Sequence, residues 1–187
     1  MILLSRPLRA DAQRNRDRLL EAAVRAFSLA GPEAPLDAIA KDAGVGIGTL
    51  YRHFPTRDAL IEEAYRNELA RLCDAAPVLL QSLPADAALR AWMDRYVDYM
   101  TTKRGMADAL RAVIASGGNP YAQSRDRLIA AVTTLLEAGA AQGLLRSDVA
   151  PLARWSCPWY RKSARRREPQ RERMSATVLC SAEAAAA

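Results

Sequence analysis

Apolar positions along the 187-residue chain recur at spacings of three and four, and breaker residues cut the pattern into seven segments. A basic arm, Ser5 to Arg18 (Arg6, Arg9, Arg14, Arg16 and Arg18 against Asp11 and Asp17), runs into the first, about residues 12–30, which aligns Leu19, Leu20, Ala23, Val24 and Phe27 on one face before Gly31-Pro32 stops it. Leu36, Ile39, Ala40 and Ala43 then mark a short helix, and Gly44-Val45-Gly46 a turn. Gly44 suits the left-handed backbone that ends a helix. A second short helix, 47–53, turns Leu50 and Phe54 inward and leaves Gly48, Thr49, Tyr51, Arg52 and His53 for the outside or the rim. Thr56 is the expected N-cap of a long helix, about 57–76, with Asp58 in its first turn and Ile61, Tyr65, Leu69 and Leu72 along one side. Pro77 and Pro84 bracket an expected loop or broken helical turn. Three further helices are predicted at about 86–102, 105–115 and 121–142, and Gly143 ends the last. No segment alternates with period two, so the predicted fold class is all-α.

Two short helices joined by a three- or four-residue turn containing glycine form a helix-turn-helix, whose second helix lies in the DNA major groove. The side chains that 47–53 would offer a duplex are small, hydroxylated or cationic, which fits close approach to a phosphate-lined groove.

Charge adds less than it first suggests. The net charge is +6, but residues 1–60 contribute only +2 and 61–150 contribute −1, while 151–187 contribute +5. Local placement, not overall pI, must therefore carry a nucleic-acid reading. Beyond about residue 150 three prolines and an arginine-dense run appear, and residues 161–173 hold no large apolar side chain. We expect an atypical basic tail over 151–187, of a composition that allows disorder. Cys73, Cys157 and Cys180 are odd in number and form no CxxC pair, which argues against a zinc site or a disulfide framework. No apolar run approaches the roughly 18–20 residues of a membrane span. The start has too short an apolar stretch for a signal peptide, so the cytoplasm is the expected location.

The stretch from about Arg14 to Ala64, with LLEAAVRAFSLAG and then IAKDAGVGIGTLYRHFPTRDAL, resembles the N-terminal domain of the TetR/AcrR family of bacterial transcriptional regulators. The resemblance implies an N-terminal three-helix DNA-binding domain with a basic arm (1–57) and a helical regulatory and dimerisation domain (58–150). It implies that Ile47, Gly48 and Thr49 face the groove, that Tyr51 and His53 bond phosphates, and that Arg57 reaches a phosphate from a helix start. Pro35 stands where the family commonly has Ser or Thr, so a cap is lost. Ile47 stands where Lys or Arg is frequent, which favours contact with a thymine methyl.

Other readings bear on the same residues. Tyr51 as an aromatic at helical spacing could be core filling. His53 is the only histidine, which leaves little for a histidine-based triad or metal site. Trp92, Met93, Tyr96 and Met100 form a stripe that is either core or the lining of a ligand cavity, to which Ile114 and Val132 would add. Asp94 and Asp98 lie one turn apart, a spacing more usual on a solvated face than in an active site. The expected function is thus a ligand-responsive repressor, not an enzyme, needing no cofactor or metal. It would bind a palindromic double-stranded operator as a homodimer and respond to a small-molecule effector. The alternative is a constitutive or defective DNA-binding module with an altered C-terminus and no effector response.

Overall fold

The computed structural model describes residues 5–148. The tail expected over 151–187 lies outside the described residues. Among those described there are seven α-helices and no strand: α1 (Ser5–Ala30), α2 (Leu36–Asp42), α3 (Ile47–His53), α4 (Arg57–Ser82), α5 (Ala85–Gly105), α6 (Ala107–Ala115) and α7 (Ser124–Ala141), with a 3-10 turn at Gly31–Glu33. The all-α expectation holds.

Two compact units organise the described elements, one of 5–68 with 100–122 and the other of 69–99 with 123–148. Both α4 and α5 contribute residues to each. In the first unit, Leu19, Leu20 and Phe27 of α1 are fully buried, as are Leu50, Leu60, Ile61, Met106 and Leu110. Segment 100–122, which the sequence groups with the regulatory part, belongs with the N-terminal helices in this division. Two contacts within the first unit show why. The Ser116 hydroxyl donates to the Asp58 carboxylate at 2.5 Å, and a Cβ at Gly31 would meet the Asp108 Cβ at 3.8 Å. The second unit buries Leu72, Leu89, Trp92, Tyr96, Leu128 and Leu135. There the Trp92 indole Nε1 donates to the main-chain oxygen of Leu72 at 2.9 Å, which satisfies the one polar atom of a buried ring.

Several boundaries differ from the sequence reading. Helix α1 begins at Ser5, so the expected basic arm is helical; Pro7 lies in its first turn, where a missing N–H costs nothing. Helix α4 runs through Pro77 to Ser82 instead of stopping at a loop. Proline in a helix interior costs about 3 kcal/mol, and burial of Ala75, Ala76 and Leu79 on either side of an exposed Pro77 offsets it. Helix α7 begins at Ser124, three residues later than expected, because Gln123 takes a left-handed backbone (φ 64°). It ends as predicted at Gly143 (φ 69°), after which Leu144 and Leu145 donate their amides back to the Gly139 oxygen.

Candidate nucleic-acid interface

The turn between α2 and α3 is built by local chemistry. Gly44 has φ 66°; its amide bonds the Lys41 oxygen and the Val45 amide bonds the Ala40 oxygen, each at 3.0 Å. This pairing is a Schellman motif, which requires a residue able to adopt the left-handed region. Gly46 then starts α3 with its oxygen accepting from the Thr49 and Leu50 amides at 2.9 and 3.3 Å. Its own backbone is extended (φ −73°, ψ 149°), and no side chain caps the helix.

Leu50 fixes the rotation of α3. It is fully buried, Phe54 four residues on is 2% exposed, and each residue advances about 100° around the axis. Arg52, two residues past Leu50, therefore points opposite to the core, and Gly48 flanks it. Thr49 and Tyr51 lie on the two sides. Exposure agrees: Gly48 and Arg52 are exposed, Tyr51 is 49% exposed, Ile47 36%, and Thr49 is half-buried. A Cβ at Gly48 would meet nothing within 4 Å, so its surface is open. Tyr51 is thus not core filling. Arg52 was noted in the sequence only as an outer or rim residue, yet among the described residues it has no partner and takes the most outward position. Its phase relative to Leu50 was the signal that could have found it.

His53 and Arg57, for which the resemblance implies phosphate contacts, are less exposed than Tyr51 and Arg52. His53 lies three residues past Leu50, about 60° from the inward direction. Its ring is half-buried, its centroid lies 6.1 Å from that of Phe54, and its Nε2 is buried without a hydrogen-bond partner. That nitrogen is shielded from solvent. Arg57 is also half-buried, and its Nη1 donates to the main-chain oxygens of Pro32 at 2.7 Å and Ala34 at 2.5 Å. Thr56 caps α4 as expected, accepting from the Ala59 amide at 3.1 Å.

Other arginines near α3 are committed within the unit. Arg16, assigned to a basic arm in the sequence, donates to Glu63 of α4 at 2.5 Å and lies 5.7 Å above the Phe54 ring. It pins α1 to α4 beside the end of α3. Arg25 pairs with Asp42 at 2.7 Å, and Arg14 with Asp11. Arg18 bonds Asn15 at 2.6 Å and passes 3.5 Å from where a Cβ on Gly44 would stand.

The six residues expected to line a ligand cavity do not share one unit. Trp92, Met93, Tyr96 and Val132 fall in the second, and Met100 and Ile114 in the first. Trp92, Met93 and Tyr96 are buried, and the Trp92 and Tyr96 rings stack at 5.7 Å. Met100 and Val132 are half-buried, whereas Ile114 on α6 is 46% exposed. Among the described residues no group of three or more His, Cys, Asp or Glu side chains could hold a metal ion, and no helix is long and apolar enough to cross a membrane. Burial pushes the Cys73 thiol pKa up, with Arg127 opposing, so the thiolate is disfavoured.

Residues 19–64 match the family described as bacterial regulatory proteins, tetR family, and residues 84–179 match the SbtR-like transcriptional regulator C-terminal domain. The structure of the TetR transcriptional regulator SCO0520 from Streptomyces coelicolor is similar, with a TM-score of 0.75 and 52% identity, over 88% of this chain and 93% of that one. A TetR transcription regulatory protein from Mycobacterium vanbaalenii gives a TM-score of 0.75 with 31% identity, over 92% and 99%. HTH-type transcriptional regulators of Staphylococcus aureus are 40% identical over 63 residues, which spans 33% of this chain and only 34% of those relatives' length.

Proposed function

The chain belongs to the TetR family of bacterial regulatory proteins and is a DNA-binding transcriptional regulator, and from that premise we propose how it reads DNA. Helix α3 enters the major groove with Ile47, Gly48, Thr49, Tyr51 and Arg52 towards the duplex. The observation that carries this reading is the outward face of α3, which combines an open glycine surface at its start with an exposed tyrosine and an unpartnered arginine one turn later. A major-groove helix needs small groups where its start approaches base edges. Arginine is the side chain best suited to bond guanine O6 and N7 together, and Ile47 suits a thymine methyl. Tyr51, at the side of the face, suits a phosphate oxygen.

The remainder of the proposal is a repressor that binds a palindromic operator as a homodimer in the cytoplasm and is released by a small molecule. A two-fold site needs two heads at a fixed separation, so pairing is a functional requirement. An effector acts only through its differential affinity for the DNA-binding and released conformations. The stripe of Trp92, Met93 and Tyr96, with Val132, is the proposed contact region for that molecule. One observation favours the second reading, a constitutive module: the Trp92 nitrogen is already satisfied by Leu72, as in plain core packing.

Selection of duplexes from a random library by the full-length protein tests the reading. We expect enrichment of a two-fold sequence whose half-sites lie about one helical turn apart, protected symmetrically and bound two chains per duplex. Enrichment of a single asymmetric half-site by one chain refutes the dimer, and no enrichment refutes sequence reading. Operator affinity that no compound in an apolar small-molecule panel alters favours the constitutive module.

A further inference from the structure

We infer that Arg57 is a positioning residue that closes the helix-turn-helix on itself, rather than a ligand for DNA phosphate. The inference rests on the proposed DNA reading by α3. Both hydrogens of its Nη1 are directed inward, to the Pro32 and Ala34 oxygens at 2.7 and 2.5 Å. Those carbonyls lie immediately before α2, and Arg57 itself begins α4, immediately after α3. One guanidinium therefore joins the two ends of the segment that contains both helices and their turn.

The linker needs such a partner. Ala34 is 1% exposed, so its oxygen cannot rely on water, and a buried carbonyl left without a donor is costly. Pro35, the N-cap of α2, has no side-chain group to bond the exposed amides, and Pro32 has no N–H of its own. The chain thus enters α2 without a side-chain cap, and the clamp from Arg57 sets where that entry stands relative to α4. A planar guanidinium suits the task, because its donors diverge at fixed angles while an ammonium presents a compact point charge. The cation that family resemblance assigns to a phosphate is here committed to the frame that orients α3.

The two roles predict different losses. A phosphate contact contributes to every sequence alike and to the salt dependence, whereas a frame that aims α3 contributes to discrimination. The test uses full-length protein with Arg57→Gln, a duplex selected by the wild-type protein and a random-sequence duplex of the same length. We expect operator affinity to fall about tenfold, random-duplex affinity to change by less than about twofold, and the slope of log affinity against log salt to stay the same. In the DNA-free protein, amide hydrogen exchange in α2 and the first turn of α4 should accelerate, which loss of a phosphate contact alone would not cause. Equal losses on both duplexes overturn the assignment, as does a slope reduced by about one unit. Unchanged operator binding or unchanged exchange overturns it as well. If Arg57→Gln fails to fold, Arg57→Lys is read on the same duplexes and by exchange: a smaller selective loss supports the clamp, and wild-type discrimination overturns it. Failure of the wild-type protein to prefer any duplex would refute the DNA reading instead, and the exchange measurement keeps the two outcomes apart.

Discussion

Replacing Gly44 and Gly46 separately with alanine isolates the contribution of one backbone conformation to the DNA-reading unit. Gly44 lies at φ 66°, and an added Cβ would approach only the Arg18 Nη1, at 3.5 Å, an ordinary contact. No steric clash confuses the result. An L-residue held in the left-handed region costs about 1–2 kcal/mol. Gly46, two residues on, has φ −73° and open space around its Cβ position, so alanine fits there without strain. At both positions alanine also stiffens the unfolded chain, worth about 0.4–1 kcal/mol in favour of folding. That gain cancels when the two variants are compared. The difference between them should therefore be about 1–2 kcal/mol, with Gly46→Ala the more stable. Urea unfolding followed by far-ultraviolet circular dichroism measures it. One protein concentration must be used throughout, because any association shifts apparent stability. Gly44→Asn should fall between the two, since asparagine tolerates the left-handed region better than alanine. Equal stability of the two alanine variants would refute the reasoning, because then the turn does not depend on the conformation only Gly44 supplies.

The remaining predictions concern contacts elsewhere. Arg52→Ala should relax preference at one base pair of each half-site by about 1–3 kcal/mol, while Tyr51→Phe weakens all duplexes alike without changing the salt slope; a panel of single-base operator variants checks both. Trp92→Phe removes the buried hydrogen bond to the Leu72 oxygen and leaves space where the larger ring packed, and should cost about 1–3 kcal/mol in denaturant unfolding. A Cβ at Gly139 would lie 2.3 Å from the Leu145 Cδ1, so Gly139→Ala should cost about 1–3 kcal/mol by overpacking, and a double-mutant cycle with Leu145→Ala should recover most of it. Burial first, and then neighbouring Tyr65, raise the Tyr121 pKa above its ordinary 10.0. The folded state thus keeps its proton longer than the unfolded chain, so this stabilisation is complete below the unfolded pKa and is lost as pH rises through the folded one. Stability scans at alkaline pH should show that loss in the wild type and not in Tyr121→Phe.

The sequence was most legible where structure is decided by neighbours along the chain. Gly31, Gly44 and Gly143 end helices with positive φ, and Thr56 caps α4, each as expected from local chemistry. It misled where packing overrides propensity. Pro77 reads as a breaker, but buried residues on both sides carry α4 past it. The grouping of 100–122 with the N-terminal helices depends on pairs such as Ser116 and Asp58, 58 positions apart, which no periodicity reveals. At the interface the limits differ in kind. The inward lean of His53 was available from its phase relative to Leu50. The engagement of Arg57 was not, since a motif carries the residue type and leaves the rotamer open. Arg16 is similar: it reads as one charge among several in an arm, and only its reach to Glu63, 47 residues away, shows it to be structural.

These committed arginines have a consequence for how the protein holds DNA. Residues 1–60 carry a surplus of only two positive charges. Arg14, Arg16 and Arg25 are balanced by carboxylates, and Arg57 faces carbonyls. A paired cation adds little net field at a phosphate, and counterion release, the main source of sequence-independent affinity, scales with the number of phosphates neutralised. A single head is therefore expected to bind random duplex weakly, with a shallow salt dependence. Under the proposed reading, the affinity an operator needs must come from base contacts by Ile47, Thr49 and Arg52, and from joining two heads so that the second binds at high effective concentration. For a head of this charge, pairing does more than match operator symmetry: it supplies the affinity that the electrostatics of one head leaves out. A full-length protein found monomeric yet tight on random DNA, with a steep salt slope, would show that cations beyond those of the α3 face carry the binding.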